Sequence, residues 1–188
     1  MAANNTKRPW KENAKEKELC KLGGRIKTEY EKNETKETGI SAKFIMSLLR
    51  KQPNFIGIYS QDRLENISIK KLPITMVINI DFSNGPGIHW IAISIDTNNV
   101  EIYDSLGFNT KYWPKSPKYL LHFLSHFKQT HKFLTTPCLQ TDRSSLCGFY
   151  CLYFLFYRTQ FSFKTCLSIF TSNLTINDNI LMSHLAKL

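Results

Sequence analysis

Residues 139–158 read L-Q-T-D-R-S-S-L-C-G-F-Y-C-L-Y-F-L-F-Y-R. A polar loop carrying Gln140 runs into Cys147-Gly148 and then into a stretch dense in phenylalanine, tyrosine and leucine. The pattern predicts a buried helix with Cys147 in its first turn. Unpaired N–H groups and the helix dipole favour a thiolate there, so Cys147 is a candidate nucleophile. Cys151, one turn deeper on the same face, reads as a core thiol. Taken alone, Cys147 reads first as a core residue, because free cysteine is among the most buried residue types. The reading turns on whether the rest of the chain supplies a base.

The chain of 188 residues, 42% of them hydrophobic and 21% charged, suits one globular domain. No run reaches the ~20 apolar residues of a membrane span, and M-A-A-N-N-T-K-R-P-W lacks the apolar core of a secretory signal. The expectation is an intracellular or particle-enclosed protein without a membrane partner. Five cysteines without C-x-x-C spacing argue against a disulfide framework or a four-cysteine zinc site. The formal net charge is +10, mostly beyond residue 38, which makes nucleic acid a candidate partner.

Residues 1–38, rich in Lys, Glu and Asn, are expected to form a charged, partly disordered extension, with Gly23-Gly24 interrupting a marginal helix. The remaining chain, 39–188, is expected to be the folded domain. Ser41 should cap a helix running to Lys51. Phe55–Ser60 and Ile74–Ile80 read as extended segments. Residues 88–96 and 100–105, joined by Thr97-Asn98-Asn99, read as a hairpin whose period-2 pattern puts Trp90, Ala92 and Ser94 on one face. A helix over Tyr119–Thr130, a short strand at Phe133–Thr136, the Cys147 helix, and closing helices over Ser162–Phe170 and Ile176–Leu188 complete the reading. Asp62-Arg63 and Lys111–Pro117 are read as loops. The predicted class is α+β, a small mixed sheet packed against helices.

Counted back from the Thr97-Asn98-Asn99 turn, His89 and Asp104 fall nearly opposite each other, within one side-chain hydrogen bond. A carboxylate placed so fixes the imidazole tautomer and leaves the second ring nitrogen free for a thiol proton. Gln140 and the Cys147 backbone N–H could hold a developing oxyanion. Each residue also has a bland reading: a structural strand histidine, a turn-capping Asp, a solvated Gln. Their joint occurrence favours the catalytic one. His122 and His126 share a helix face with His131 beyond, but the run lacks the adjacent acid of H-E-x-x-H, and no metal is expected.

G-I-H-W at 87–90, Y-D-S-L-G-F at 103–108, and Gln140 separated by six residues from C-G-F-Y-C at 147–151 resemble the adenovirus protease (adenain) family. F-I-G-I-Y-S-Q-D-R-L at 55–64 resembles a further block of that family, so the likeness spans roughly residues 41–160 in unbroken order. The resemblance implies an adenain- or SUMO-protease-like fold. It assigns His89 as general base, Asp104 as its orienting partner, Gln140 as oxyanion donor and Cys147 as nucleophile. Trp90 and Gly148 would shield and flank the site. Asp104 stands where adenoviral enzymes usually carry Glu; Asp is common at that place in the related SUMO-specific proteases, so the implied role survives. The extension at 1–38 has no counterpart, and Cys138, two residues before Gln140, is not given the role of the cysteine that binds an activating peptide. A divergent virus or virus-like mobile element is the implied source.

The expected function is a cysteine endopeptidase, acting as a monomer on viral precursor polypeptides at glycine-containing sites during virion maturation. It would work in the virion and in the host nucleus or cytoplasm. The chemistry requires no cofactor; DNA or a viral peptide is the activator the resemblance suggests. Two other readings stand beside this one: a deubiquitinase or SUMO-type isopeptidase, and a non-catalytic basic DNA-binding packaging protein.

Overall fold

The computed structural model describes residues 14–34, 39–108 and 117–188, with side chains from residue 21 to 33 in the first segment. Five strands form one mixed sheet: β1 (Phe55–Ser60), β2 (Ile74–Asn79), β3 (Trp90–Ile95), β4 (Asn99–Tyr103) and β5 (Lys132–Thr135). They lie in sequence order, with β1–β2 and β4–β5 parallel and the middle pairs antiparallel. The helices are α1 (Ala14–Glu34), α2 (Ala42–Leu49), α3 (Lys118–Ser125), α4 (Cys147–Tyr157), α5 (Phe163–Leu167) and α6 (Leu174–Leu185). The class is α+β, as expected.

Pleat alternation divides the core in two. Met76, Ile78, Ile91, Ile93, Val100 and Ile102 pack under α3 and the 3-10 turn Gln61–Asn66. Val77, Ala92 and Tyr103 point the other way and meet α4, with α2 and α6 around it. Every residue from Cys147 to Phe156 is buried. A helix apolar on all sides must be surrounded, which explains why α4 is central. Its far end is fixed by Arg158, whose Nε and Nη2 donate to the two carboxylate oxygens of buried Glu101 at 2.7 and 2.8 Å. This two-point pairing sets α4 against β4.

The expected helix starting after Ser41 forms: the hydroxyl accepts from the Phe44 N–H at 3.2 Å. The hairpin turn is held by Asp96, whose Oδ1 accepts from Asn98 and Asn99 N–H. Asp62-Arg63 belongs to the 3-10 turn rather than an open loop. The helix expected to reach Thr130 ends at Ser125 and continues as turns. The loop expected at Lys111–Pro117 lies outside the described residues except for Pro117.

Residues 14–34 correct the expected extension. α1 runs unbroken through Gly23-Gly24, and Ile26 is fully buried in the α4 core. Gly23 is there for close packing: a Cβ would stand 2.6 Å from the Ala186 carbonyl oxygen at the end of α6. Arg25 donates to the Ser47 hydroxyl, tying α1 to α2 as well. A glycine pair inside a helical pattern can mark contact as well as a break. Residues 1–13 and 35–38 lie outside the described residues.

Candidate active site

α4 begins at Cys147 itself, with Leu146 as an N-cap that makes no side-chain capping bond. The first-turn N–H groups have no intrahelical partner, so they and the dipole favour negative charge at this sulfur. Gly148 lets the helix end come close to its neighbours. A Cβ there would lie 2.5 Å from Ile40 Cγ1 and 3.2 Å from Trp90 Cδ1. The Trp90 indole N–H donates to the Ile40 carbonyl at 3.1 Å. That bond holds residues 39–41 against the start of α4.

His89 and Asp104 meet as expected. His89 Nε2 donates to Asp104 Oδ1 at 2.7 Å, with His89 4% and Asp104 0% exposed. The route differs from the one counted in the sequence. The ladder pairs Ala92 with Tyr103, which extrapolates to Ile91, not His89, opposite Asp104. Strand β3 starts only at Trp90, and Asp104 follows the end of β4. Both residues have left the pleat, so strict alternation no longer dictates their direction. Asp104 Oδ1 also accepts from the Leu106 N–H at 2.9 Å, while its own N–H donates to the Thr136 hydroxyl at 3.0 Å.

With Nε2 committed to Asp104, Nδ1 is the ring nitrogen left for Cys147. Burial alone would lower the His89 pKa. Hydrogen bonds to Asp104 and Cys147, together with the charge on both, hold it up at about 10. A folded pKa above the ordinary histidine value stabilises the fold fully below that value and progressively less as pH rises through the folded one. The unfolding free energy should therefore decline between about pH 6.5 and 10, by about 5 kcal/mol at most, with denaturation midpoints falling in parallel. Asp104→Asn should remove most of that slope. A wild-type stability flat from pH 7 to 10 would contradict the charged pair.

Gln140 is 2% exposed, and its amide is fixed from both ends. Oε1 accepts from the Ser105 hydroxyl at 2.6 Å, and Nε2 donates to the Ser144 carbonyl at 2.5 Å. Because a carbonyl only accepts, the amide cannot be flipped. Nε2 keeps a second hydrogen beyond the one given to Ser144. Ser105 also accepts the Leu139 and Gln140 N–H groups on its carbonyl, and Tyr150 and Asn177 hold the Leu139 carbonyl. The acid loop and the glutamine loop are thus one assembly. Gln140 and Cys147 line the same groove, of about 1270 Å³.

That groove is bounded by residues 39–42, the ends of β1 and β2, the glycine loop 85–87 and the loop before α4. Sequence reasoning missed the residues that hold the glycine loop. Asp81 accepts from Phe82 and Gly87 N–H, and Asn79 Oδ1 accepts from Asp81 and Ile88 N–H. The Ile80 N–H donates to the His89 carbonyl at 3.0 Å, so β2 positions the histidine through the loop it holds. The available signal was two polar residues, Asn79 and Asp81, at the end of an otherwise apolar strand just before a glycine-rich turn.

No protein-family model matches the chain, and no curated protein matches it. Among solved structures it is similar to the crystal structure of the ASFV pS273R protease in selenomethionine form. The identity is 19% over 81% of this chain and 68% of that chain, with a TM-score of 0.49.

Among the described residues no group of three His, Cys, Asp or Glu side chains is placed to hold a metal ion. His131 Nε2 instead donates to the Asp96 carbonyl at 2.9 Å. Nor is any helix among the described residues long and apolar enough to cross a membrane. The groove therefore offers a thiol at a helix N-terminus, an imidazole held by a buried carboxylate, and an amide fixed beside them. This donor set suits acyl transfer through a thioester.

Proposed function

We propose that the chain is a cysteine endopeptidase that cleaves viral precursor proteins at glycine-containing sites during virion maturation. The observation that carries this reading is His89, bonded through Nε2 to buried Asp104 and held at a raised pKa by that carboxylate and by Cys147 at the start of α4. Cys147 attacks the scissile carbonyl as thiolate while His89 holds the proton. The oxyanion that forms is met by the Cys147 N–H and the second Nε2 hydrogen of Gln140. Collapse expels the amine, which takes the proton from His89, and leaves a thioester. Water, deprotonated by His89, then attacks the thioester and returns Cys147.

Trp90 and Gly148 keep the wall at residues 39–41 close to the nucleophile, which narrows the groove. A narrow groove favours residues without side chains beside the scissile bond, which supports glycine there. None of these steps calls for a cofactor. The net charge of +10 supports DNA as an activator, with a viral peptide as the other candidate. The reading places the protein in the virion and in the host nucleus or cytoplasm, acting as a monomer.

The test is turnover by the purified chain of fluorogenic glycine-containing peptides and of viral precursor proteins, with and without duplex DNA. Thiol-alkylation-sensitive cleavage is expected, faster with DNA. Preference for ubiquitin- or SUMO-linked reporters would reassign the substrate. DNA binding without any turnover or thiol labelling would contradict the peptidase reading.

A further inference from the structure

We infer that Asn79 is a substrate-binding residue whose side-chain N–H donates to a main-chain carbonyl of the extended peptide lying in the groove. The inference rests on the peptidase reading and adds to it a contact that none of the four expected catalytic residues makes.

The orientation of the amide comes first. Asn79 Oδ1 accepts two backbone N–H groups, from Asp81 at 2.9 Å and Ile88 at 3.1 Å. Flipping the amide would set its NH2 against two donors, so the assignment is settled by chemistry. Nδ2 takes no part in those two bonds, and it makes no hydrogen bond among the described residues. Asn79 is 8% exposed, and it lines the groove that holds His89, Gln140 and Cys147. A nearly buried amide that keeps a donor toward a cleft is suited to an acceptor arriving with a ligand.

The location comes second. Asn79 is the last residue of β2 and pairs with Trp90, the first of β3. Cross-strand partners share a face, so Asn79 stands beside Trp90 on the side toward α4. On its other flank Asn79 pairs with Ser60, which lines the groove with Tyr59 and Ile58. The groove thus crosses the strand ends before it reaches Cys147, a path suited to several residues of extended chain.

Gly87 supplies the third observation. It has φ +90°, and a Cβ there would lie 3.1 Å from Asn79 Nδ2. A side chain at this point would crowd the amide and the approach to it. An Asn held by acceptor bonds, with glycine beside its donor, reads the peptide backbone whatever the substrate side chains are.

The structural and substrate roles of Asn79 separate by variant. Asn79→Asp keeps an oxygen for the Asp81 and Ile88 N–H groups and replaces the donor with an acceptor. The experiment is a coupling cycle on the full chain. Wild type, Asn79→Asp and Asn79→Ala are assayed on the best glycine-containing fluorogenic peptide. They are also assayed on a series in which each peptide bond outside the scissile one is replaced in turn by a planar alkene. Asn79→Asp is expected to melt close to wild type and to lose about 10- to 100-fold in kcat/KM, mostly in KM. One alkene position should cost wild type a similar factor and cost either variant little more. The cycle reads the coupling, so a general loosening of the glycine loop in one variant cancels. If wild type is active and the losses add at every position, Asn79 does not bind the substrate backbone, and the peptidase reading stands. If wild type turns over none of the peptides, the peptidase reading falls and this inference with it.

Discussion

Cys147→Ala is expected to abolish peptide hydrolysis, a loss on the order of 10⁴-fold or more, while Cys151→Ala and Cys166→Ala are expected to retain turnover. The three thiols are chemically alike, so the difference must come from position. Cys147 starts α4 with uncapped N–H groups around it and borders the groove beside His89. Cys151 is 1% exposed, and burial, reinforced by the nearby charges of Cys147 and Asp104, pushes its pKa well up. Burial likewise pushes the Cys166 thiol up to about 11. Neither offers a thiolate at neutral pH, and removing either sulfur leaves only a small cavity in the core. Rates measured on one glycine-containing peptide, with melting curves for each variant, check the ranking. Substantial activity in Cys147→Ala would remove the nucleophile from this account.

The second large effect is expected at Asp104. Asp104→Asn keeps an oxygen able to accept from His89 Nε2 and from the Leu106 N–H, so the loop 104–106 should hold its shape. What disappears is the buried negative charge that stabilises the imidazolium. A loss on the order of 10²- to 10⁴-fold in kcat/KM is expected, carried mainly by kcat. The pH profile tells this apart from disorder. The wild-type alkaline limb, set by proton loss from His89 near pH 10, should move toward the acid side in Asp104→Asn. An unchanged profile with a lowered melting temperature would make Asp104 a structural residue only.

The sequence made some of this legible and hid the rest for physical reasons. The strands and the start of α4 could be read because period-2 alternation, a turn cluster and an all-apolar run are local signals. The His89–Asp104 contact was expected from a count along the hairpin. The contact exists, but in a ladder whose extension would put Ile91 opposite Asp104. Local counting found the right pair because both residues leave the sheet at the same end. Gly23-Gly24 misled because the reason for Gly23 is the end of α6, far away in the chain. Glu101 and Arg158, and the Asn79–Asp81 hold on the glycine loop, are tertiary pairings without a periodic trace. Gln140 was legible as a type of residue in the right place. The Ser105 hydroxyl and Ser144 carbonyl that orient it were not.

The central claim is that Cys147, activated by His89, is the group that forms a covalent bond with substrate. It is tested most directly by treating the purified chain with a glycine-containing peptide that carries a thiol-reactive electrophile, and mapping the adduct by mass spectrometry. The account predicts one adduct, on Cys147, formed at neutral pH and strongly slowed in Asp104→Asn. Labelling spread over Cys138 and Cys166, or labelling that persists undiminished in Cys147→Ala, would contradict it.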